Sequence, residues 1–413
     1  MKIHMIADHA IRPAEDDIIF GLSARANEKS RHLGPQNIIN STMGVLLDDN
    51  GEFVAFKSVY KILKELDDKL IASYANLAGD PDFLKAVEQA CFMNHRPDAH
   101  IRAIATPGGT GAIRHAVNNF VNQNDTFITA NWYWSPYQTI ADENNRNLDT
   151  FNLFNDEGTF DMESYKKVFE YYLNKQKRLL VILNTPAHNP TGYTLSDDEW
   201  DMIIDIAKEH ASDPEKRIIF MCDIAYIDFA DENSRNFMEK FGGLPANIIT
   251  LFAYSASKSY TMYGLRNGAL LCVSSDEEIV DEVFFSCAHS NRGTWSNGTR
   301  GAMQVITQIY GDPKLFDTVE EERNYYRSLL KTRGDAFIEA SNEIGLNITN
   351  YKDGFFVSVP HEDPAKLCER LIEDNLFTVP LQNGIRIAIC SVNEEKCRLM
   401  PKIIIKAIED LKV

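Results

Sequence analysis

The sequence predicts an α/β protein with two domains. The larger is built on a mainly parallel seven-stranded sheet in a three-layer α/β/α arrangement, and the smaller is α+β. Three observations carry this. Seven short apolar runs alternate with helical patterns through the middle of the chain. The runs are rich in Ile, Leu and Phe, as strands covered on both faces must be. After residue 311 the pattern changes to a long charged helical stretch, then short strands and a closing helix.

In order, the runs are Ile101 to Thr106, Thr126 to Ala130, Asp149 to Leu153, Leu179 to Asn184, Arg217 to Cys222, Ile248 to Ala253 and Ala269 to Val273. Between them helix starts are legible. Asp80-Pro81 offers an N-cap with proline in the first turn, Ser196-x-x-Glu199 and Ser275-x-x-Glu278 fit capping boxes, and a helical pattern runs from Ala112 to Val121. The long helix continues to about Asn342, with strands near Phe355 to Val359, Phe377 to Val379 and Arg386 to Ile389 and a helix from Asn393. With no repeat and no Pro/Ser-rich linker, the domain boundaries must lie within compactly folded sequence. We place the large domain at 51–315 and the small domain at 316–413, with 1–50 expected to pack on the latter.

The chain has 413 residues and a formal net charge of −18. That charge opposes binding to nucleic acid or to an anionic membrane, both of which demand basic patches. No apolar stretch is long enough to span a bilayer. The first ten residues carry His4, Asp8 and His9 in place of a basic segment and an apolar run, so no secretory signal is expected. Seven widely spaced cysteines and no CxxC pair indicate a reduced, cytoplasmic protein. Scattered histidines and the lack of an HExxH predict no metal site.

In an open α/β sheet, ligands bind beyond the carboxyl ends of the strands, so the chemistry is sought where each run ends. The first run leads into Pro107-Gly108-Gly109-Thr110-Gly111 at a helix start, where backbone N–H groups and the Thr110 hydroxyl can hold an anion; a plain turn is the alternative. The second leads into Asn131-Trp132-Tyr133-Trp134-Ser135-Pro136-Tyr137, aromatic faces suited to a planar heterocycle or to core packing. The fourth ends at Asn184 and continues to His188-Asn189-Pro190-Thr191-Gly192, a rigid turn presenting the Asn189 amide. The fifth ends in Asp223-Ile224-Ala225-Tyr226, a carboxylate behind a very apolar strand, costly unless a cation faces it. The sixth ends in Ser255-Ala256-Ser257-Lys258, with Arg266 just before the seventh. Together these tips ask for a ligand with a phosphate, an aromatic ring with a basic nitrogen, and an electrophilic carbon for an amine. Pyridoxal 5'-phosphate has all three.

From about Ile39 to Val413 these residues, in this order, resemble the class I aminotransferases of pyridoxal-phosphate fold type I, in particular the aspartate and aromatic amino acid group. The specific matches are Asn189-Pro190-Thr191-Gly192, Asp223-x-x-Tyr226 and Ser255-x-Ser257-Lys258 followed by Arg266. The resemblance implies that Lys258 binds the cofactor as an imine and that Asp223 pairs with the ring nitrogen. Asn189 and Tyr226 would bond the ring oxygen, Trp134 would stack on the ring, and Gly109, Thr110, Ser255, Ser257 and Arg266 would hold the phosphate. Tyr74 resembles the tyrosine that reaches the phosphate of a neighbouring subunit, which implies a homodimer with shared sites. Arg386 resembles the arginine that grips the substrate α-carboxylate as a bidentate fork, with Trp134, Asn189 and Gly44 beside the substrate. Arg292, in Asn291-Arg292-Gly293-Thr294-Trp295-Ser296-Asn297, resembles the arginine that aspartate-type enzymes supply from the other subunit to a distal carboxylate. A surface arginine is the alternative.

Three positions depart from the aspartate group: Gly108 stands where serine is common, Tyr137 where a histidine supports the ring-binding aspartate, and Gly298 where a proline is usual. The resemblance implies ping-pong transfer of an amino group between an L-amino acid, aspartate, glutamate or aromatic, and a 2-oxo acid such as 2-oxoglutarate. Lys258 would act as the proton carrier, with its pKa depressed by burial and nearby cations. A β-eliminating carbon–sulfur lyase of the same fold remains an alternative, as does a non-enzymatic sensor that binds the cofactor.

Overall fold

The computed structural model describes residues 5–12 and 18–412. The first ten residues and the 1–50 segment therefore lie partly outside the described residues. The strands, in chain order, are β1 (Ile39–Asn40), β2 (His100–Thr106), β3 (Thr126–Ala130), β4 (Asn147–Phe151), β5 (Arg178–Asn184), β6 (Arg217–Asp223), β7 (Ile248–Ser255), β8 (Gly268–Ser274), β9 (Phe356–Pro360), β10 (Leu376–Phe377), β11 (Val379–Leu381) and β12 (Gly384–Ala388). All seven apolar runs enter one sheet of order β2-β8-β7-β6-β5-β3-β4, in which β8 alone runs against the rest. Side-chain alternation divides β5 between two cores, Leu179, Val181 and Leu183 facing one and Leu180 and Ile182 the other. The sheet is thus buried on both faces, which makes the three layers.

A three-stranded antiparallel sheet of order β11-β12-β9 forms a separate core with the helices Pro364–Glu373 and Glu394–Asp410. The helix Pro313–Ile344 is shared: Val319 and Leu330 pack into the large core, Ala336 and Phe337 into the smaller one. The N-terminal helix Ile18–Leu33 is tied to the C-terminal part through Arg25 to Glu369 at 2.7 Å and through Lys29 Nζ to the Ile372 carbonyl at 2.6 Å. β1 extends that tie by pairing in parallel with β10. Among the described residues no helix is long and apolar enough to cross a membrane, and no group of His, Cys, Asp or Glu is arranged to hold a metal ion. All seven cysteines are free and buried.

Several local expectations need correction. β4 begins and ends two residues before the predicted run, because this edge strand has only β3 as a partner and its register, Thr126 opposite Asn147, sets its start. The predicted strand at Phe377 to Val379 is two strands. Phe377 pairs with Asn40 and Val379 with Arg386, so the chain changes partners at Thr378. Ser196 and Glu199 do form a capping box. Ser275 does not cap: β8 runs through Ser274, and Asp276 accepts from the Glu278 N–H at 2.9 Å instead. Pro81 opens its helix, but the Asp80 carboxylate turns away from the helix N–H groups to Asn76 N at 3.0 Å and Arg300 Nε at 2.9 Å. The helix predicted from Ala112 starts at Gly108, so the glycines form its first turn.

Candidate active site

Sheet register assembles the site. Thr106 at the end of β2 and Ser255 at the end of β7 both lie opposite Gly268, which opens β8 between them. The helix Gly108–Phe120 starts just beyond β2 with no side chain capping it, so its first-turn N–H groups remain available to an anion. The approach is close enough to require glycine. A Cβ on Gly268 would sit 2.8 Å from the Gly108 backbone, and one on Gly108, whose φ is +71°, would sit 2.8 Å from Arg266 Nη2. Arg266 leans over this cup, donating from Nη1 to Ser257 Oγ at 3.3 Å and to the Tyr263 carbonyl at 2.8 Å. Ser255 Oγ accepts from the Ser257 N–H at 3.3 Å. Gly109, Ser255, Ser257 and Arg266 therefore lie together, with Thr110 in the first turn of the same helix as Gly109.

Next to them, β6 presents Asp223, opposite Asn184 and Ala253. Burial pushes this carboxyl upward, and bonds from Tyr137 Oη at 2.6 Å and Ala225 N at 3.3 Å pull it back, as does the Lys258 ammonium. Tyr137 thus takes up the support of Asp223 that its position suggested. Asn184 braces the neighbouring turn. Its Nδ2 donates to the Asp223 carbonyl at 2.8 Å while its Oδ1 accepts from Asn189 N at 2.7 Å. Asn189 Nδ2 in turn donates to Tyr226 Oη at 3.5 Å. Lys258 Nζ lies 5.5 Å from the ring centres of both Tyr226 and Tyr263. Burial, reinforced by the Arg266 charge and opposed by Asp223, brings its pKa down to about 8 from the ordinary 10.5.

Arg386, on β12, closes the other side. It is buried, donates from Nη2 to the Thr42 carbonyl at 2.7 Å and from Nη1 to Asn189 Oδ1 at 3.4 Å, and lies 4.4 Å over the Phe356 ring. Gly44 is what lets that ring sit there, since a Cβ on it would be 2.6 Å from Phe356 Cζ. A cleft of about 610 Å³ opens here, lined by Trp132, Trp134, Asn189, Asn383 and Arg386 among others. Trp134 stands edge-on to Tyr137 with ring centres 5.6 Å apart. Of the expected site residues, Trp134, Asn189 and Arg386 line this cleft, whereas the phosphate-side group around Lys258 lies outside its lining and two others stand well apart on the surface. Tyr74 is 88% exposed, and Arg292 is exposed in the last turn of the helix Glu277–Thr294, bonded to Ser296 Oγ at 2.9 Å.

Tyr263, Phe356 and Thr42 were not anticipated. Tyr263 lies between Lys258 and Arg266, and its aromatic ring in that loop was a usable signal. Phe356 and Thr42 act through packing and a backbone carbonyl, which leave no mark in sequence. Behind the Lys258 turn is a buried charge cluster. Asp228 pairs with Arg235 and, at 3.9 Å, with Arg323, whose Nε donates to the Ser259 carbonyl at 2.9 Å.

The chain and its fold are similar to those of known proteins. The profile of the family described as "Aminotransferase class I and II" matches residues 36–402. The crystal structure of an aminotransferase from Anaerococcus prevotii DSM 20548 superposes with a TM-score of 0.96 at 39% identity, covering 98% of this chain and 99% of that one. Aspartate aminotransferase of Escherichia coli (strain K12) is 26% identical over 353 residues, 82% of this chain and 84% of that protein. An aromatic-amino-acid aminotransferase from Burkholderia pseudomallei, covalently bound to pyridoxal phosphate, shares the fold with a TM-score of 0.80 at 18% identity, covering 96% of this chain and 98% of that one.

Proposed function

The chain belongs to the class I and II aminotransferases, and from that membership we propose that it moves an amino group between an L-amino acid and a 2-oxo acid on pyridoxal 5'-phosphate held at Lys258. The observation that carries this reading is the convergence of an anion cup, a buried carboxylate and a lysine of lowered pKa on adjoining strand ends. The donor set fits the cofactor. First-turn N–H groups at Gly109 and Thr110, the hydroxyls of Ser255 and Ser257 and the Arg266 guanidinium suit a phosphate dianion. Asp223 suits a cationic ring nitrogen, and Asn189 and Tyr226 can donate to a ring oxygen, with Trp134 offering its face. Bound there, the cofactor supplies an electron sink for the carbanion left when the substrate α-proton departs.

The remaining steps belong to side chains. Arg386 holds the substrate α-carboxylate as a fork, already oriented by Thr42 and Asn189. Lys258 Nζ, neutral above a pH of about 8, takes the α-proton and returns it during the same half-reaction. Asp223 keeps a proton on the ring nitrogen, with Tyr137 fixing its orientation. Both substrates use the same pocket in turn, so the kinetics are ping-pong. The exposure of Tyr74 and Arg292 supports a homodimer in which each reaches into the partner's site, Tyr74 to the phosphate and Arg292 to a distal carboxylate. The seven buried thiols support a reducing, cytoplasmic setting.

Two results are expected. In the apoprotein, the rate of covalent capture of added pyridoxal phosphate at Lys258 should rise with pH to a half-maximum near 8, because only the neutral amine is a nucleophile; a half-maximum at the ordinary 10.5 would refute the lowered pKa. In a single-turnover panel of amino donors followed by cofactor absorbance, Arg292→Leu should slow aspartate and glutamate by about 10²-fold, the scale set by loss of a charge-assisted bond. Aromatic donors should be nearly unaffected. Equal rates for aspartate in mutant and wild type would end the dicarboxylate reading.

A further inference from the structure

Tyr74 and Arg292, far apart in sequence and both exposed, are fastened to the same buried side chain. Asn291, immediately before Arg292, is 1% exposed, and its Nδ2 donates to the carbonyls of Leu77 at 3.0 Å and Ala105 at 3.1 Å. Leu77 ends the segment that carries Tyr74, and Ala105 is the penultimate residue of β2, just ahead of the glycines of the anion cup. With both amide hydrogens committed to carbonyls, Oδ1 must face a donor. It meets His115 Nε2 at 2.7 Å, which fixes the hydrogen on that ring nitrogen. His115 is fully buried, lies tilted against Trp295 with ring centres 4.8 Å apart, and is held neutral by burial, which brings its pKa down to about 4. Among the described residues its Nδ1 meets no hydrogen-bonding side chain or backbone group. A fold that tolerates an unmet acceptor at this depth gains something from the Nε2 donor.

Further bonds repeat the connection on either side of Tyr74. Asn297 Nδ2 donates to the Ala75 carbonyl at 3.4 Å, and Arg300 bonds both Ser73 Oγ and Asp80, the latter at 2.9 Å. Asp80 itself accepts from Asn76 N at 3.0 Å, and Ala105 N donates to the Ala78 carbonyl at 2.8 Å. The stretch 73–80 is therefore laced to 291–300 and to β2 as one unit.

We propose that the His115–Asn291 pair is a positioning device that holds Tyr74 and Arg292 at a fixed offset from each other and from the subunit's own phosphate cup, so that each subunit presents both residues to its partner's site together. This rests on the reading that both act across a dimer. Neither His115 nor Asn291 touches substrate; they set dicarboxylate selectivity through Arg292.

The test uses the holoenzyme and two unreactive ligands, succinate and the monocarboxylate hydrocinnamate, with affinities measured by calorimetry. Asn291→Leu and His115→Leu should each weaken succinate by about tenfold or more, as expected for a displaced charged group. They should leave hydrocinnamate within about twofold of wild type and raise KM for aspartate more than they lower kcat. His115→Gln, which keeps an N–H donor, should restore most of the succinate affinity. If Arg292→Leu weakens succinate while the Asn291 and His115 variants bind it normally, the positioning role is wrong and the Arg292 reading stands. If succinate binding is unchanged in every variant, including Arg292→Leu, both fall. Parallel loss of both ligands would mark general damage and also overturn the proposal.

Discussion

Lys258→Ala is expected to abolish transamination while leaving the fold intact. Loss of a positioned proton carrier alone costs about 10²- to 10⁴-fold, and loss of the attachment point adds to it. The variant should fold because Lys258 makes no ion pair among the described residues, so nothing is left unpaired by its loss. The change is electrostatic. Lys258 is one of the groups holding the Asp223 carboxyl down against burial, so its removal leaves Asp223 easier to protonate. Borohydride treatment followed by mass spectrometry should find the cofactor covalently fixed at residue 258 in the wild type and absent there in the variant. Normal turnover by the variant, or a reduced adduct on a different lysine of the wild type, would overturn the assignment.

Arg323→Leu is expected to be the most destabilising single change outside the pocket. Burial alone would push the Asp228 carboxyl up; the Arg323 and Arg235 guanidiniums and the Ser259 hydroxyl reverse this and hold it well below the usual carboxylate range. Removing Arg323 leaves Asp228 with Arg235 alone and takes a buried guanidinium from the cluster, a change that approaches the cost of about 3–5 kcal/mol for breaking a buried pair. Arg323 also lies 4.7 Å over the Tyr260 ring, which belongs to a hydroxyl chain with Tyr254 at 3.2 Å and Tyr310 at 3.1 Å. Denaturant titration at fixed protein concentration should show the loss, and an Arg323→Leu/Asp228→Leu double variant, which also strips the buried Arg235 of its carboxylate, should not recover it. The pH dependence follows from the sign of the shift. A carboxyl with a depressed folded pKa contributes fully above the unfolded value of about 3.9 and loses that contribution as pH falls below it. Wild-type stability should therefore drop more steeply in acid than that of the double variant. Equal stability of Arg323→Leu and wild type would show that the cluster is structurally idle.

The core strands were legible because each is an apolar run with a turn signal at its end, a pattern that needs no partner to be read. Errors gathered where a partner decides the boundary: at the edge strand β4, at the split between β10 and β11, and at the cap of the helix Glu277–Thr294. In the site, charged and polar residues at strand ends were visible because each is out of character with the apolar run before it. Phe356 and Thr42 were not, because an aromatic in a core and a threonine carbonyl look the same in sequence whatever they support. Asn291 and His115 were hidden for a related reason. The role proposed for them runs through the carbonyls of Leu77 and Ala105, which accept from Asn291 Nδ2, and any residue can supply a carbonyl.

By itself the sequence determined which side chains arrive at the strand ends, since hydrophobic periodicity and turn chemistry are local. It also determined the class of ligand they suit. Only the tertiary structure decided which ends adjoin. The opposition of Thr106 and Ser255 across Gly268, the bond from Tyr137 to Asp223, and the lacing of Tyr74 to Arg292 through Asn291 join residues tens to hundreds of positions apart. Such contacts form only when strand order and register are set by the burial of both sheet faces at once.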